Sequence, residues 1–83
     1  MKHRDSDILK TRNKLREQIA KNVKDARTRS DLTQVEVAQA LGIHQSAYSR
    51  IERGRQCITA DQLLTLATIL NVRPEILIEP QPL

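Results

Sequence analysis

Gln45, Ser46, Ser49 and Arg50 fall at i, i+1, i+4 and i+5. On a helix that spacing gathers four hydrogen-bonding side chains on one face of the first turns. A small core has no use for such a group. Base edges in a DNA major groove do: Gln matches the donor–acceptor pair of adenine, Arg matches guanine, and Ser suits several bases. Gln34 should lie near Gln45 across a short turn, where its amide and a helix N-terminus can bind a phosphate. Thr33 and His44 at two helix starts, and Arg53 and Arg55 beyond the far end, are further candidates for phosphate contacts. An ordinary solvated face is the competing explanation, and the tight turn before the helix argues against it.

Two short helices must hold these groups. Thr33 reads as an N-cap, and Glu36, three residues on, completes a capping box, with Leu32 and Val37 as the hydrophobic staple. The helix runs through Leu41 and stops at Gly42, which can take a left-handed cap conformation. A turn, Gly42-Ile43-His44, leads to a helix over about 45–53 that ends at Gly54. Ala38 opposite Ile43 permits close approach of the helices. Val37, Leu41, Ile43, Tyr48 and Ile51 form the expected inner seam.

The flanking elements are also helical. Residues 15–29 carry an apolar stripe at helical period, and Ser30-Asp31 ends it. The stripe continues back through Arg12 to Ile8, and Asp5, Ser6 and Asp7 would suit a first turn. The residues thus favour an extended first helix, with a disordered basic arm as the alternative. Such an extension leaves Ile8 and Leu9 exposed unless a partner covers them. A second capping box, Thr59 with Gln62, starts a helix over about 60–70 with Leu63, Leu66, Ala67 and Leu70 inward; Asn71 is a left-handed stop. Pro74 opens a short helix over 74–79, and Pro80 and Pro82 end the structure. The expectation is an all-α, compact bundle of about five short helices with a central helix-turn-helix. Its parts are residues 1–14, arm or extension; 15–79, the domain; and 80–83, a Pro-rich tail.

Composition agrees. The 83 residues include one Tyr and no Trp or Phe, so the core must be aliphatic, which suits packed helices better than sheet. The net charge is +4, and ten of the 14 lysines and arginines precede residue 31. A basic balance favours a polyanionic partner, nucleic acid before membrane. Cys57 is the only cysteine, which fits a reducing cytoplasm and excludes an intrachain disulfide. It reads as a small packing residue. No signal peptide or membrane span is expected. His3 and His44 lack metal-ligand spacing to any Cys or acid, so no metal or cofactor is expected. No nucleophile–base or paired-carboxylate arrangement suggests an enzyme.

Thr33-Gln34-x-Glu36-Val37-Ala38 and Gly42-Ile43-x-Gln45-Ser46-x-x-Ser49-Arg50-Ile51-Glu52-Arg53-Gly54 together resemble the lambda-repressor/Cro-like, Xre-type helix-turn-helix family. The resemblance covers about residues 15–79. It implies a four- or five-helix domain that binds operator DNA, usually as a dimer, in a bacterial, phage or plasmid setting. Gln34 and Gln45 match family positions that cooperate in reading a base; Ser46 and Arg50 match further base-contacting positions. It also implies a partly buried ion pair between Arg27 and Glu52. His44 and Cys57 depart from the family's usual residues.

The function expected is a sequence-specific transcriptional regulator, a repressor that binds a palindromic operator on double-stranded DNA as a homodimer. No ligand-binding or oligomerisation domain is expected after the motif. The dimer would therefore use Ile69, Val72, Ile76 and Leu77, or the N-terminal extension. RNA polymerase and a toxin are candidate further partners. An antitoxin and a protein-interaction module that does not read DNA are the alternatives.

Overall fold

The computed structural model describes residues 5–80. Residues 1–4, with His3 and part of the expected arm, and 81–83, with Pro82, lie outside the described residues. Five helices follow in order: α1 (Asp5–Arg29), α2 (Gln34–Leu41), α3 (Gln45–Glu52), α4 (Ala60–Ile69) and α5 (Pro74–Ile78). There is no strand among the described residues.

The caps act as the residues suggest. Thr33 Oγ1 accepts from the Glu36 N–H at 3.1 Å, and the Glu36 carboxylate accepts from the Thr33 N–H at 2.9 Å. Thr59 and Gln62 repeat the arrangement at α4, at 3.2 and 3.0 Å. Each box satisfies two donors that a helix start leaves unpaired. Gly42, at φ 78°, closes α2. Asn71, at φ 55°, turns the chain after α4, and Asp31, at φ 57°, does so after α1. Pro74 opens α5, where a missing N–H costs nothing. Helices α3, α4 and α5 each end one residue earlier than expected, with Arg53, Leu70 and Glu79 as their C-caps.

The core draws on all five helices. Val23, Val37, Tyr48, Leu66 and Leu77 are completely buried, with Ala26, Ala38, Ala67 and Leu70 around them. α1 packs on α3 and α5, and α2 on α3 and α4. Alanines at 26, 38 and 67 let short helices approach closely around a few branched side chains. The buried amide of Asn22 ties α1 to the chain end: Nδ2 donates to the carbonyls of Leu77 at 3.1 Å and Glu79 at 2.7 Å.

α1 is one helix of 25 residues, so the N-terminal extension is continuous with the domain helix. It overhangs the body, and the molecule measures 43 × 26 × 21 Å. Three expectations need correction. Leu15 is 58% exposed, because the body of the protein ends before reaching it. Leu77 is completely buried within its own subunit, so it is unavailable as a dimer contact. Cys57 is exposed on the α3–α4 loop and does not fill the core.

Candidate nucleic-acid interface

α2 and α3 enclose the expected turn. The Ile43 N–H donates to the Ala38 carbonyl at 3.0 Å, which holds the start of α3 close against the body of α2. The inner side of α3 is buried at Tyr48, Ile51 and Glu52. Its other side faces solvent: Gln45, Ser46 and Arg50 are exposed and Ser49 is half-buried. The four candidate base-reading residues therefore share one accessible face.

A chain of hydrogen bonds runs from the interior to this face. Arg27 and Glu52 form a two-pronged ion pair, Nε to Oε2 at 2.5 Å and Nη2 to Oε1 at 3.0 Å. The third prong, Nη1, donates to the Leu32 carbonyl at 2.8 Å, which anchors the α1–α2 connection. Glu52 Oε1 also accepts from Gln34 Nε2 at 3.0 Å. Gln34 Oε1 in turn accepts from Gln45 Nε2 at 3.2 Å. The Glu52 carboxylate thus orients the Gln34 amide, which in turn orients that of Gln45. The bond to Gln34 uses one N–H of the exposed Gln45 amide and leaves its carbonyl oxygen and other N–H, the acceptor–donor pair that fits adenine N6 and N7.

The electrostatics follow from burial and pairing. Burial alone would raise the Glu52 pKa. The hydrogen bonds to the carboxylate, chiefly from Arg27, outweigh burial, so the pKa lies below the ordinary glutamate value. The same carboxylate raises Arg27. The Tyr48 hydroxyl is buried beside the pair without a well-formed hydrogen bond of its own. Burial, with the neighbouring Glu52 charge added, pushes its pKa far above the tyrosine range.

The remaining candidates are placed as follows. Arg50 Nε donates to Gln56 Oε1 at 3.0 Å, and its two Nη groups make no further hydrogen bond among the described residues. Gln34 is half-buried and gives one amide hydrogen to Glu52. Thr33 and His44 are exposed at the starts of α2 and α3. Thr33 is occupied in its capping box, whereas His44 makes no side-chain cap. Arg53 and Arg55 are exposed after α3. Ile69, Val72 and Ile76 are half-buried near α5.

Sequence reasoning missed two residues. Gln56, which steers Arg50, sits in a loop with no periodic signal. Asn22, which secures the chain end, left a trace: it is a polar residue inside the apolar stripe, between Ile19 and Ala26. Among the described residues there is no cluster of His, Cys, Asp and Glu able to hold a metal ion. No helix among them is long and apolar enough to cross a membrane.

Comparison with known proteins places this geometry. The family model HTH_3, helix-turn-helix, matches residues 23–77. The clp gene regulator ClgR from Corynebacterium glutamicum is similar in structure, with a TM-score of 0.74 at 24% identity over 76% of this chain and 67% of its own. At that identity the likeness speaks for the fold alone. The hypothetical transcription factor NHTF from Neisseria gives 0.74 at 29% identity, over 80% of this chain and 76% of its own. The restriction-modification controller protein C.AhdI from Aeromonas hydrophila gives 0.69 at 28%, over 74% and 92%. No curated protein sequence matches significantly. The chain belongs to the HTH_3 helix-turn-helix family, the Xre-type, lambda-repressor-like class of DNA-binding domains.

Proposed function

We propose that this DNA-binding transcriptional regulator is a repressor that reads a palindromic operator as a homodimer, with α3 in the major groove. The observation that carries the reading is the oriented amide pair. Gln45 is held by Gln34, which is held by Glu52, so an exposed side chain arrives at the groove with its donor and acceptor already fixed. A prearranged group loses less freedom on binding than a mobile one. Gln45, Ser46, Ser49 and Arg50 contact bases; Thr33, Gln34, His44, Arg53 and Arg55 contact phosphates. Repression follows from occupying the promoter, without catalysis. The dimer is expected through Ile69, Val72 and Ile76 or through the N-terminal half of α1.

The polar character of the outer face argues against an adaptor that only binds protein, since an adaptor would present apolar residues there. Similarity to a restriction-modification controller favours that setting over an antitoxin. Selection of bound duplexes from a random pool tests the proposal. The expected product is an inverted repeat with half-site centres about one helical turn, roughly 34 Å, apart. A pool that stays random, or a site with no symmetry, would overturn it.

A further inference from the structure

The apolar stripe of α1 runs past the body of the protein. Val23 and Ala26 are buried and Ile19 is half-buried, but Leu15, Leu9 and Ile8 are 58, 53 and 54% exposed. At about 100° per residue, Ile8, Leu15, Ile19 and Ala26 stay within roughly 20° of one line. The face that enters the core therefore continues, bare, for about three turns. Arg12 interrupts it. Its side chain lines a groove of about 150 Å³ with Arg16, Ile19, Ile51 and Ile58, and its stem can cover apolar surface.

We propose that this overhang is covered by the same segment of a second copy, packed antiparallel about a two-fold axis near Lys10 and Thr11. Charge complementarity selects this occupant. Asp5 and Asp7 lie at the start of the bare segment, and Lys14 and Arg16 at its end. Antiparallel pairing about that axis sets Asp5 opposite Arg16 of the second copy and Asp7 opposite its Lys14, and symmetry repeats both pairs. Ile8 then falls opposite Asn13, two residues, or about 3 Å along the axis, from Leu15 of the second copy, close enough for the two apolar side chains to pack. Parallel pairing would place like charges together. The axis is also limited by shape, because a register centred further along α1 would drive the second helix into the α3–α4 loop.

The contact sets a distance. The end of α3 meets α1 between Glu17, beside Gly54, and Arg27, paired with Glu52. The middle of that stretch is near residue 22. At 1.5 Å per residue, equivalent points in the two copies are about 35 Å apart across the axis. Half-site centres one DNA turn apart are separated by about 34–36 Å. This inference deepens the homodimer reading and rests on it for the DNA spacing, whereas the contact itself does not depend on DNA reading. A three-turn contact is small against a standard interface of about 1,600 Å². The pair is therefore weak in free solution and tightens when one duplex holds both copies.

Sedimentation equilibrium of the full chain without DNA, from micromolar to near-millimolar concentration, tests it. A reversible dimer is expected. Ile8→Asp with Leu15→Asp should raise the dissociation constant roughly 100-fold or more while helix content is retained. Asp7→Lys should weaken the dimer by roughly threefold or more, and adding Lys14→Asp should restore it, as only antiparallel pairing allows. In a Cys57→Ser background, Thr11→Cys should cross-link two copies under mild oxidation and Thr68→Cys should not. A monomer at every concentration overturns the proposal. So does a dimer that survives the Ile8/Leu15 change but is lost with Ile76→Asp, and in that case the homodimer reading stands. Loss of sequence selectivity with this dimer intact would sink base reading and leave the contact standing.

Discussion

α2 and α3 have the same length, eight residues each, and opposite economies. α2 is closed at both ends by its own residues, Thr33 with Glu36 at the start and Gly42 at the finish. α3 begins at His44 with no side-chain cap, and its first turn shows Gln45 and Ser46 to solvent. One helix spends its polar groups on itself; the other keeps them for a partner. The fold can afford this because α3 is pinned from beneath, by Tyr48, Ile51 and the Arg27–Glu52 pair.

The largest effect is expected where that pinning is broken. Arg27→Ala or Glu52→Ala should each lower unfolding free energy by about 3–5 kcal/mol, because the surviving charge is left buried. Urea denaturation measures this, and a double variant should show strong non-additivity; two small, additive losses would mean the pair is only decorative. The pair also gives a pH signature. Glu52 has a folded-state pKa lowered from its ordinary 4.5. Its contribution is therefore present above that value and is lost as pH falls through the lower folded value. Glu52→Gln should flatten the acid limb of the stability curve.

Next in size, Arg50→Ala should cost about 1–3 kcal/mol at the cognate site and relax base preference. Stability should move by less than about 0.5 kcal/mol. Equal weakening on cognate and random duplexes would remove Arg50 from the reading face. The smallest contrast lies at the caps. Thr33→Ala should cost about 1 kcal/mol of stability, whereas His44→Ala should cost under about 0.5 kcal/mol. Equal costs at the two positions would contradict the division between a self-sufficient α2 and an outward-directed α3.

Much of the scaffold is written in local chemistry, and that part is legible in the residues. Capping boxes, left-handed stops at Gly42 and Asn71, and Pro74 at a helix start act over three or four residues, so they survive any tertiary context. The outward face of α3 is legible for a similar reason: helical period assigns sides. Burial along α1 is not. Period places Leu15 on the same line as Ile19, but whether anything covers it depends on where the rest of the molecule ends. Leu77 fails the same way, since a short terminal helix can turn its one large side chain inward or outward. The Asn22 bonds to Leu77 and Glu79 join residues more than fifty positions apart. The Gln56 bond to Arg50 depends on a loop path that no periodicity reports.

The protein has a single tyrosine, Tyr48, and no tryptophan or phenylalanine, and the Tyr48 side chain is completely enclosed beneath α3. Its intrinsic ultraviolet emission and near-ultraviolet dichroism therefore come from one locus. An optical melting curve recorded on the unmodified chain watches the seat of the recognition helix coming loose, and fraying at either terminus passes unseen.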